Sequence, residues 1–407
     1  MIKSIKLNNF FSFNDCTIDF CAGENVLVGI NGVGKSNLLK AIRLLKEGVS
    51  GIGFKALIIN NWGGFDAIFN YSNQNNSIIS IEYELDCNVL KNYGFEFKGN
   101  VFYKISIVKV PYTSNFYIDE VITRQKKSAA KNEGKTIPFI YLDISNGSGV
   151  ALRRSDNDEE PASLIKYSDL DPQSSALYKD ITDPDRYYSL STIRKAIADI
   201  VVYDYFDTTP ASKIRKPVIP TSENKLLSDG SNLPQVLNTL NINDKPNFKI
   251  IKSLLKSINQ TYTDFDFNHI GGNIELMIEE QNLNKSIHVT NISDGTLRFL
   301  CLLSILYNEK RGSLICIDEP EVGLHPDMIL TIANSIKHAA VSSQIFIATH
   351  SENLLNNFKL ENVRVFEKND ENSTVVTAFS EESFKDWYEH FSVGKMWRQG
   401  DIGGNRY

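Results

Sequence analysis

Eight residues, Gly29-Ile30-Asn31-Gly32-Val33-Gly34-Lys35-Ser36, restrict this chain more than any other stretch. They follow the apolar run Val26–Val28 and precede Leu38, Leu39, Ile42 and Leu45 at helical spacing, so the segment reads as strand, glycine loop, helix. The spacing G-x-x-x-x-G-K-S has a mechanism. Gly32 and Gly34 let backbone N–H groups close round phosphates, and the helix N-terminus adds positive potential. Lys35 is placed for the β- and γ-phosphates and the Ser36 hydroxyl for Mg²⁺, so ATP and Mg²⁺ are the expected ligands. A strand feeding such a loop belongs in a sheet flanked by helices, which sets an α/β fold class.

The second half of such a site is far away in sequence. Leu314–Ile317 is a four-residue apolar run, as a buried parallel strand requires, and it ends in Asp318 and Glu319. Adjacent carboxylates are poor core material but suit the strand ends where α/β proteins bind ligands. Asp318 fits a Mg²⁺ ligand, and Glu319 fits the group that orients or deprotonates an attacking water. "QIFIATHS" repeats the pattern one strand later and puts His350 at the same edge, as a candidate γ-phosphate sensor. Just before them, "SDGTLRFLCLL" (Ser293–Leu303) reads as a capped apolar helix with Ser293 and Asp294 as cap candidates. Ser293, Gly295 and the open N–H groups beside them are chemically suited to an anion.

Composition narrows the class. At 407 residues the chain is too long for one minimal core, so one large domain with an insertion, or two domains, is expected. With 42% apolar and 23% charged residues, a soluble globular protein is expected. The formal charge of −6 excludes a globally basic nucleic-acid binder and leaves room for a local basic groove. Cys16, Cys21, Cys87, Cys301 and Cys316 are scattered without a CxxC pair, which fits reduced thiols in the cytoplasm. No apolar run approaches membrane-spanning length, and "MIKSIKLNNF" alternates like a strand, so the mature chain is expected to start here, with no membrane contact.

The pattern along the chain suggests a head built from residues 1–110 and 226–380, an inserted α+β or helical region at 111–225, and a tail at 381–407. "SIISIEYEL" and "VFYKISIV" are strand candidates. "RQKKSAAKNEGK" (Arg124–Lys135) is either a solvated basic loop or a nucleic-acid contact, and "DNDEE" (Asp156–Glu160) is an acidic turn. "STIRKAIADIVVYDYFDTTP" is expected to run as one helix stopping before Pro210. "NFKIIKSLLKSINQTY" reads as another helix, "DFDFNHIGGNIELMIEE" as a hairpin on a Gly-Gly turn, and "SIHVTNI" as a strand. Gln74 stands between the first helix and the next strand, in an Asn-rich stretch that also reads as a plain turn.

Together these segments resemble the ABC-type ATPases of the RecF/SMC branch. They resemble more closely the stand-alone AAA-family ATP-binding proteins related to OLD-family and anti-phage defence ATPases. The resemblance rests on "IKLNNFFSFND", on "GINGVGKSN" with Asn31 and Asn37, on "LLSDGSNLPQVL", "SDGTLR", "DEPEVGLHP" and "THS", and on the tail "MWRQGDIGG". It covers both ends of the chain and residues from about 190 onward. Many relatives carry a basic residue where this chain has Phe11, and "WGGFD" (Trp62–Asp66) also matches the group. The resemblance implies an ABC-type head with a mixed β-sheet flanked by helices, and adds Asn31 and Asn37 to the ATP contacts. It implies that Ser293 and Gly295 cap an ATP held by a second subunit, so that two chains sandwich two nucleotides as a homodimer or a higher oligomer. Gln74 would be the Q-loop residue.

Three functions compete. One is a slow, ATP-gated dimeric ATPase controlling a separately encoded effector, a nuclease or toxin, in anti-phage defence or DNA metabolism. OLD relatives carry a C-terminal TOPRIM nuclease, and the tail after His350 is too short for one. The second is an ABC-type motor. The "NF-x-S-F" opening and "GLHP" disfavour a transport motor and leave one acting in DNA repair. The third is a nucleotide-dependent scaffold without an effector, which Glu319 argues against. Nucleic acid is a further candidate partner. Trp387, Tyr388, Phe391, Trp397 and Arg398 in the tail are residue types common at protein interfaces, and equally able to pack the tail onto the core.

Overall fold

A computed structural model describes residues 1–70, 77–124, 138–155, 161–379 and 392–404. Gln74, the basic stretch from 125 to 135, the acidic turn at 156–160, and Trp387, Tyr388 and Phe391 lie outside the described residues. The strands in chain order are β1 (Ile2–Phe10), β2 (Phe13–Asp19), β3 (Glu24–Val28), β4 (Ile78–Leu85), β5 (Val101–Lys109), β6 (Phe116–Thr123), β7 (Ile140–Ser145), β8 (Ser148–Arg153) and β9 (Ser163–Tyr167). They continue with β10 (Val201–Tyr203), β11 (Tyr262–Ile270), β12 (Asn273–Glu280), β13 (Ile287–His288), β14 (Leu314–Asp318), β15 (Gln344–Thr349), β16 (Val363–Lys368) and β17 (Thr374–Ala378). The chain divides into two compact units: residues 1–22, 29–200 and 364–378, and residues 23–28, 201–363 and 379–407. This division does not follow the boundaries expected at 110 and 225, because β5 and β6 pair directly across residue 110.

The first unit is dominated by one antiparallel sheet in the order β2-β1-β4-β5-β6-β7-β8-β9. β4 alternates buried and half-exposed positions as a one-face-buried strand must, with Ile79, Ile81, Tyr83 and Leu85 inward. Tyr83 lies opposite Tyr103. The Tyr83 hydroxyl donates to the Ala41 carbonyl at 2.6 Å, which ties the helix Lys35–Ser50 to the sheet. The Tyr103 hydroxyl donates to the buried Glu120 at 2.5 Å, and the Ala176 N–H donates to the same carboxylate at 2.8 Å. Burial raises the Glu120 pKa, the hydrogen bonds opposing it. "WGGFD", which the sequence left without a role, packs against the opening motif. Trp62 meets Phe11 edge-on at 5.7 Å, and the Lys40 ammonium lies 4.4 Å from the Phe11 ring centre. The antiparallel hairpin β16–β17 completes this unit.

The second unit holds parallel strands in the order β10-β14-β15-β3. β15 is buried along its whole length and β14 up to Ile317, so both read as continuous apolar runs. Helices Asp294–Leu306 and Pro326–Ala340 bury ten of thirteen and seven of fifteen residues, respectively. The hairpin β11–β12 turns on Gly271 and Gly272, both at positive φ as such a two-residue turn demands. Helix Lys245–Ile258 is where the periodicity puts it.

Two segments differ from expectation. The helix begun near Ser191 ends at Ala198, and Val201-Val202-Tyr203 form β10 instead. Pairing with Ile315–Ile317 overrides the local helical pattern. "SIHVTNI" is a strand only at Ile287–His288, because the next residues turn and present the carbonyls of Val289, Thr290 and Ile292 to Arg215. In the tail, Trp397 is 3% exposed on the helix Val393–Gln399, so it serves packing, while Arg398 pairs with Glu352 at 3.4 Å. The cysteines are free thiols, and burial pushes Cys16 up to about 11. No helix among the described residues is long and apolar enough to cross a membrane.

Candidate functional site

β14, β15 and β3 end side by side, with Asp318 opposite Ala348 and Thr349 opposite Val28. The carboxylates and the histidine therefore share one edge of the parallel sheet, and the chain leaves β3 at that edge into Gly29.

In the glycine loop, Gly32 and Gly34 have φ of +82° and +113°, values a side chain strongly disfavours. A Cβ on Gly34 would lie 2.5 Å from the hydroxyls of Ser12 and Thr374. Those hydroxyls brace the loop. Thr374 Oγ1 donates to the Val33 carbonyl at 2.6 Å, stands 2.7 Å from Ser12 Oγ, and the Asn37 amide donates to Ser12 Oγ at 2.9 Å. Asn37, expected among the ATP contacts, thus has its amide on the brace. Lys35 is 5% exposed, and its ammonium donates to the carbonyls of Gly29 and Ile30 at 2.8 and 3.1 Å. Asn31, Gly32 and Ser36 are exposed.

At the strand ends, Glu319 adopts φ +48°, a left-handed conformation that is costly for a non-glycine residue and clusters at functional sites. Its N–H donates to the Ala348 carbonyl at 2.8 Å, and its Oε1 stands 3.2 Å from His350 Nε2. Glu321 locks the other partner: its carboxylate accepts from Thr349 Oγ1 at 2.5 Å and from the His350 N–H at 3.1 Å. Burial raises the Glu321 pKa, against the pull of those hydrogen bonds. A recess of about 20 Å³ beside Asp318, Glu319 and Arg298 is large enough for one water molecule.

Ser293 caps its helix, accepting from the Thr296 N–H at 3.2 Å. Asp294, an alternative cap in sequence terms, instead pairs with Arg215 at 2.6 Å. Gly295 has no room for a side chain, since a Cβ there would lie 2.8 Å from the Gly323 carbonyl. Arg298 lies over the Tyr205 ring at 4.5 Å and donates to the Val322 carbonyl at 3.3 Å. Sequence reasoning missed Ser12, Thr374, Arg215 and Glu321 as supports. Ser12 and Glu321 sit inside recognisable motifs, whereas Arg215 and Thr374 carry no local signal.

Each half has the chemistry that a nucleotide with Mg²⁺ would need. In the glycine loop, Gly32 has nothing within 4 Å of where a Cβ would stand, Lys35 supplies a fixed cation and Ser36 an exposed hydroxyl; at the strand ends, Asp318 is a hard oxygen donor in its own right. No cluster of three or more His, Cys, Asp or Glu suited to a further metal occurs among the described residues.

Known proteins resemble the chain in sequence and in fold. The profile of the family described as "AAA domain, putative AbiEii toxin, Type IV TA system" matches residues 25–356. A DNA replication and repair protein RecF from Caldanaerobacter subterraneus is 46% identical over 54 residues, which are 13% of this chain and 15% of the relative. The Structural maintenance of chromosomes protein 3 homolog of Plasmodium falciparum is 49% identical over 49 residues, 12% of this chain and 4% of the relative. The matched stretches thus span only a small part of these curated relatives. Among solved structures, an SMC head bound to the C-winged helix domain of ScpA aligns over 94% of this chain and 99% of its own, at 12% identity and TM-score 0.57. A Pyrococcus furiosus SMC head with an extended coiled coil aligns over 95% and 98%, at 12% identity and TM-score 0.55. With the profile covering most of its length, the chain belongs to that AAA-domain family, and it has the fold of an SMC head.

Proposed function

We propose that this chain binds ATP and Mg²⁺ through Asn31, Gly32, Gly34, Lys35, Ser36 and Asp318, hydrolyses the nucleotide slowly, and dimerises around it. The observation that carries the hydrolytic reading is the Glu319–His350 pair, 3.2 Å apart on neighbouring strand ends, with Glu319 held in a strained backbone conformation. Bound Mg²⁺ supplies charge neutralisation at the phosphates and a template for in-line attack. Glu319 takes the proton of the attacking water, and His350 holds Glu319 in place and donates toward the γ-phosphate. Glu321 fixes the His350 backbone, so the histidine needs little reorganisation. His350→Ala is expected to lower phosphate release roughly 10²-fold, the scale of one positioned charge-stabilising donor, with ATP affinity kept. Wild-type turnover in that variant would remove His350 from the mechanism.

Ser293 and Gly295 serve the ATP of a second subunit, because the helix start offers a hydroxyl and open N–H groups beside Gly323. Ser293→Arg is expected to prevent ATP-dependent dimerisation in light scattering while monomeric ATP binding persists. Equal weakening of monomer binding would mean that the signature acts within its own chain.

The closed dimer, in this reading, regulates a separately encoded cytoplasmic effector of the nuclease or toxin class. The family description, which names a toxin–antitoxin system, favours it. The RecF matches favour a second reading, a motor or scaffold in DNA repair. ATP turnover with and without duplex and single-stranded DNA separates the two: strong stimulation by DNA alone supports repair, and dependence on a co-purifying protein supports the effector.

A further inference from the structure

The first unit contains a cavity of about 550 Å³ within residues 95–189, made entirely of residues remote in sequence from the glycine loop. Lys98, Arg124, Arg154 and Arg186 line it together with the aromatic rings of Phe139 and Tyr188. Glu96 is the one carboxylate among the residues that line it. The topology explains the gathering. Arg124 follows β6, Phe139 precedes β7, Arg154 follows β8, and Arg186 and Tyr188 stand at the start of helix Tyr188–Ala198. The Arg124 N–H donates to the Phe139 carbonyl at 3.0 Å, and its guanidinium lies 5.3 Å from the Phe139 ring centre. Arg186 also has Asp183 at 3.5 Å.

Phe139 and Tyr188 remain 42% and 46% exposed at this cavity. Large rings left in water beside a concavity are a binding surface in waiting, and the volume lies in the small-ligand range. The charges select among ligands. An apolar ligand would make no use of the four cationic side chains. A simple anion would make no use of the rings. Guanidinium groups suit phosphate, and flat rings suit a base with a free face. Duplex DNA hides its base faces in the stack, so the base must be unpaired.

We propose that this cavity binds a nucleoside phosphate with an unpaired base, phosphate on the guanidinium groups and base against Phe139 or Tyr188. The proposal does not depend on the ATPase reading. Two sources share this chemistry, a free nucleotide and a single strand.

The test uses the full chain carrying Lys35→Ala, so that the glycine loop does not contribute. Calorimetry with AMP, UMP and inorganic phosphate, and anisotropy with fluorescent dT10 and rU10, are compared with the same protein carrying Arg124→Glu and Arg154→Glu. Binding of mononucleotides or decamers that falls at least about tenfold in the double variant is expected, since two charge-assisted contacts are reversed. Mononucleotides alone identify a free nucleotide as the source, and decamers alone a strand. A second variant, Phe139→Ala, removes an already exposed ring and should weaken nucleotide binding without affecting inorganic phosphate. Its unchanged thermal melting guards against misfolding. No binding of any probe, binding indifferent to both variants, or inorganic phosphate bound as well as AMP would overturn the proposal.

Discussion

Lys35→Ala is expected to abolish ATP binding at micromolar nucleotide, a loss of at least a hundredfold, or ~3 kcal/mol. The lysine ammonium is buried and donates to the loop carbonyls of Gly29 and Ile30. A cation is tolerated in so shielded a place only where acceptors or anions face it, and there its attraction for phosphate is little screened. Alanine removes that charge and leaves the glycine loop with backbone donors alone. Equilibrium binding of labelled ATP decides the matter, with circular dichroism to confirm that the variant is folded. Unchanged affinity would remove the phosphate-loop assignment and with it the proposed function.

Glu319→Gln acts on the other half of the site and should have a different signature. Glutamine keeps the size and can occupy the same left-handed backbone, but it cannot accept a proton from water. Hydrolysis should fall roughly 10²–10⁴-fold, the usual worth of a positioned base, while ATP binding is kept. Nucleotide that is bound but not cleaved should then hold two chains together, because a ligand shared across an interface stabilises the assembly by mass action. Light scattering with and without ATP reads this directly. A variant that stays monomeric at saturating ATP would contradict the sandwich, and one that hydrolyses normally would take the base role from Glu319.

These residues were legible in the sequence because their chemistry is local. Gly29–Ser36 and Leu314–Glu319 each pack strand, turn and functional groups into a few consecutive positions. What was not legible depends on partners far along the chain. Ser293 and Asp294 are equally good caps by type. Arg215, 79 residues from Asp294, decides between them by taking the aspartate. Asn37 reads in sequence as a ligand contact, and the bond from its amide to Ser12, 25 positions earlier, has no local signal. Val201–Tyr203 continue a helical pattern in sequence, yet a neighbouring strand more than a hundred residues later captures them. The same reason hid the cavity in the first unit, whose cations and rings come from separate loops of one sheet.

On the ribosome, the nucleotide loop is made early and finished late. Its brace joins Val33 to Thr374, 341 positions apart, and the Thr374 N–H also donates to the Ser12 carbonyl at 2.7 Å. Translation proceeds at about 5–20 residues per second, so the loop emerges tens of seconds before its support exists. Until residue 374 has been synthesised, the loop has only its local supports, such as the Lys35 bonds to Gly29 and Ile30 and the Asn37 bond to Ser12. A nascent chain that has not reached β17 therefore carries the full phosphate motif without the Thr374 brace. The second strand of the late hairpin thus supplies the last hydrogen bonds of a loop laid down 341 positions earlier.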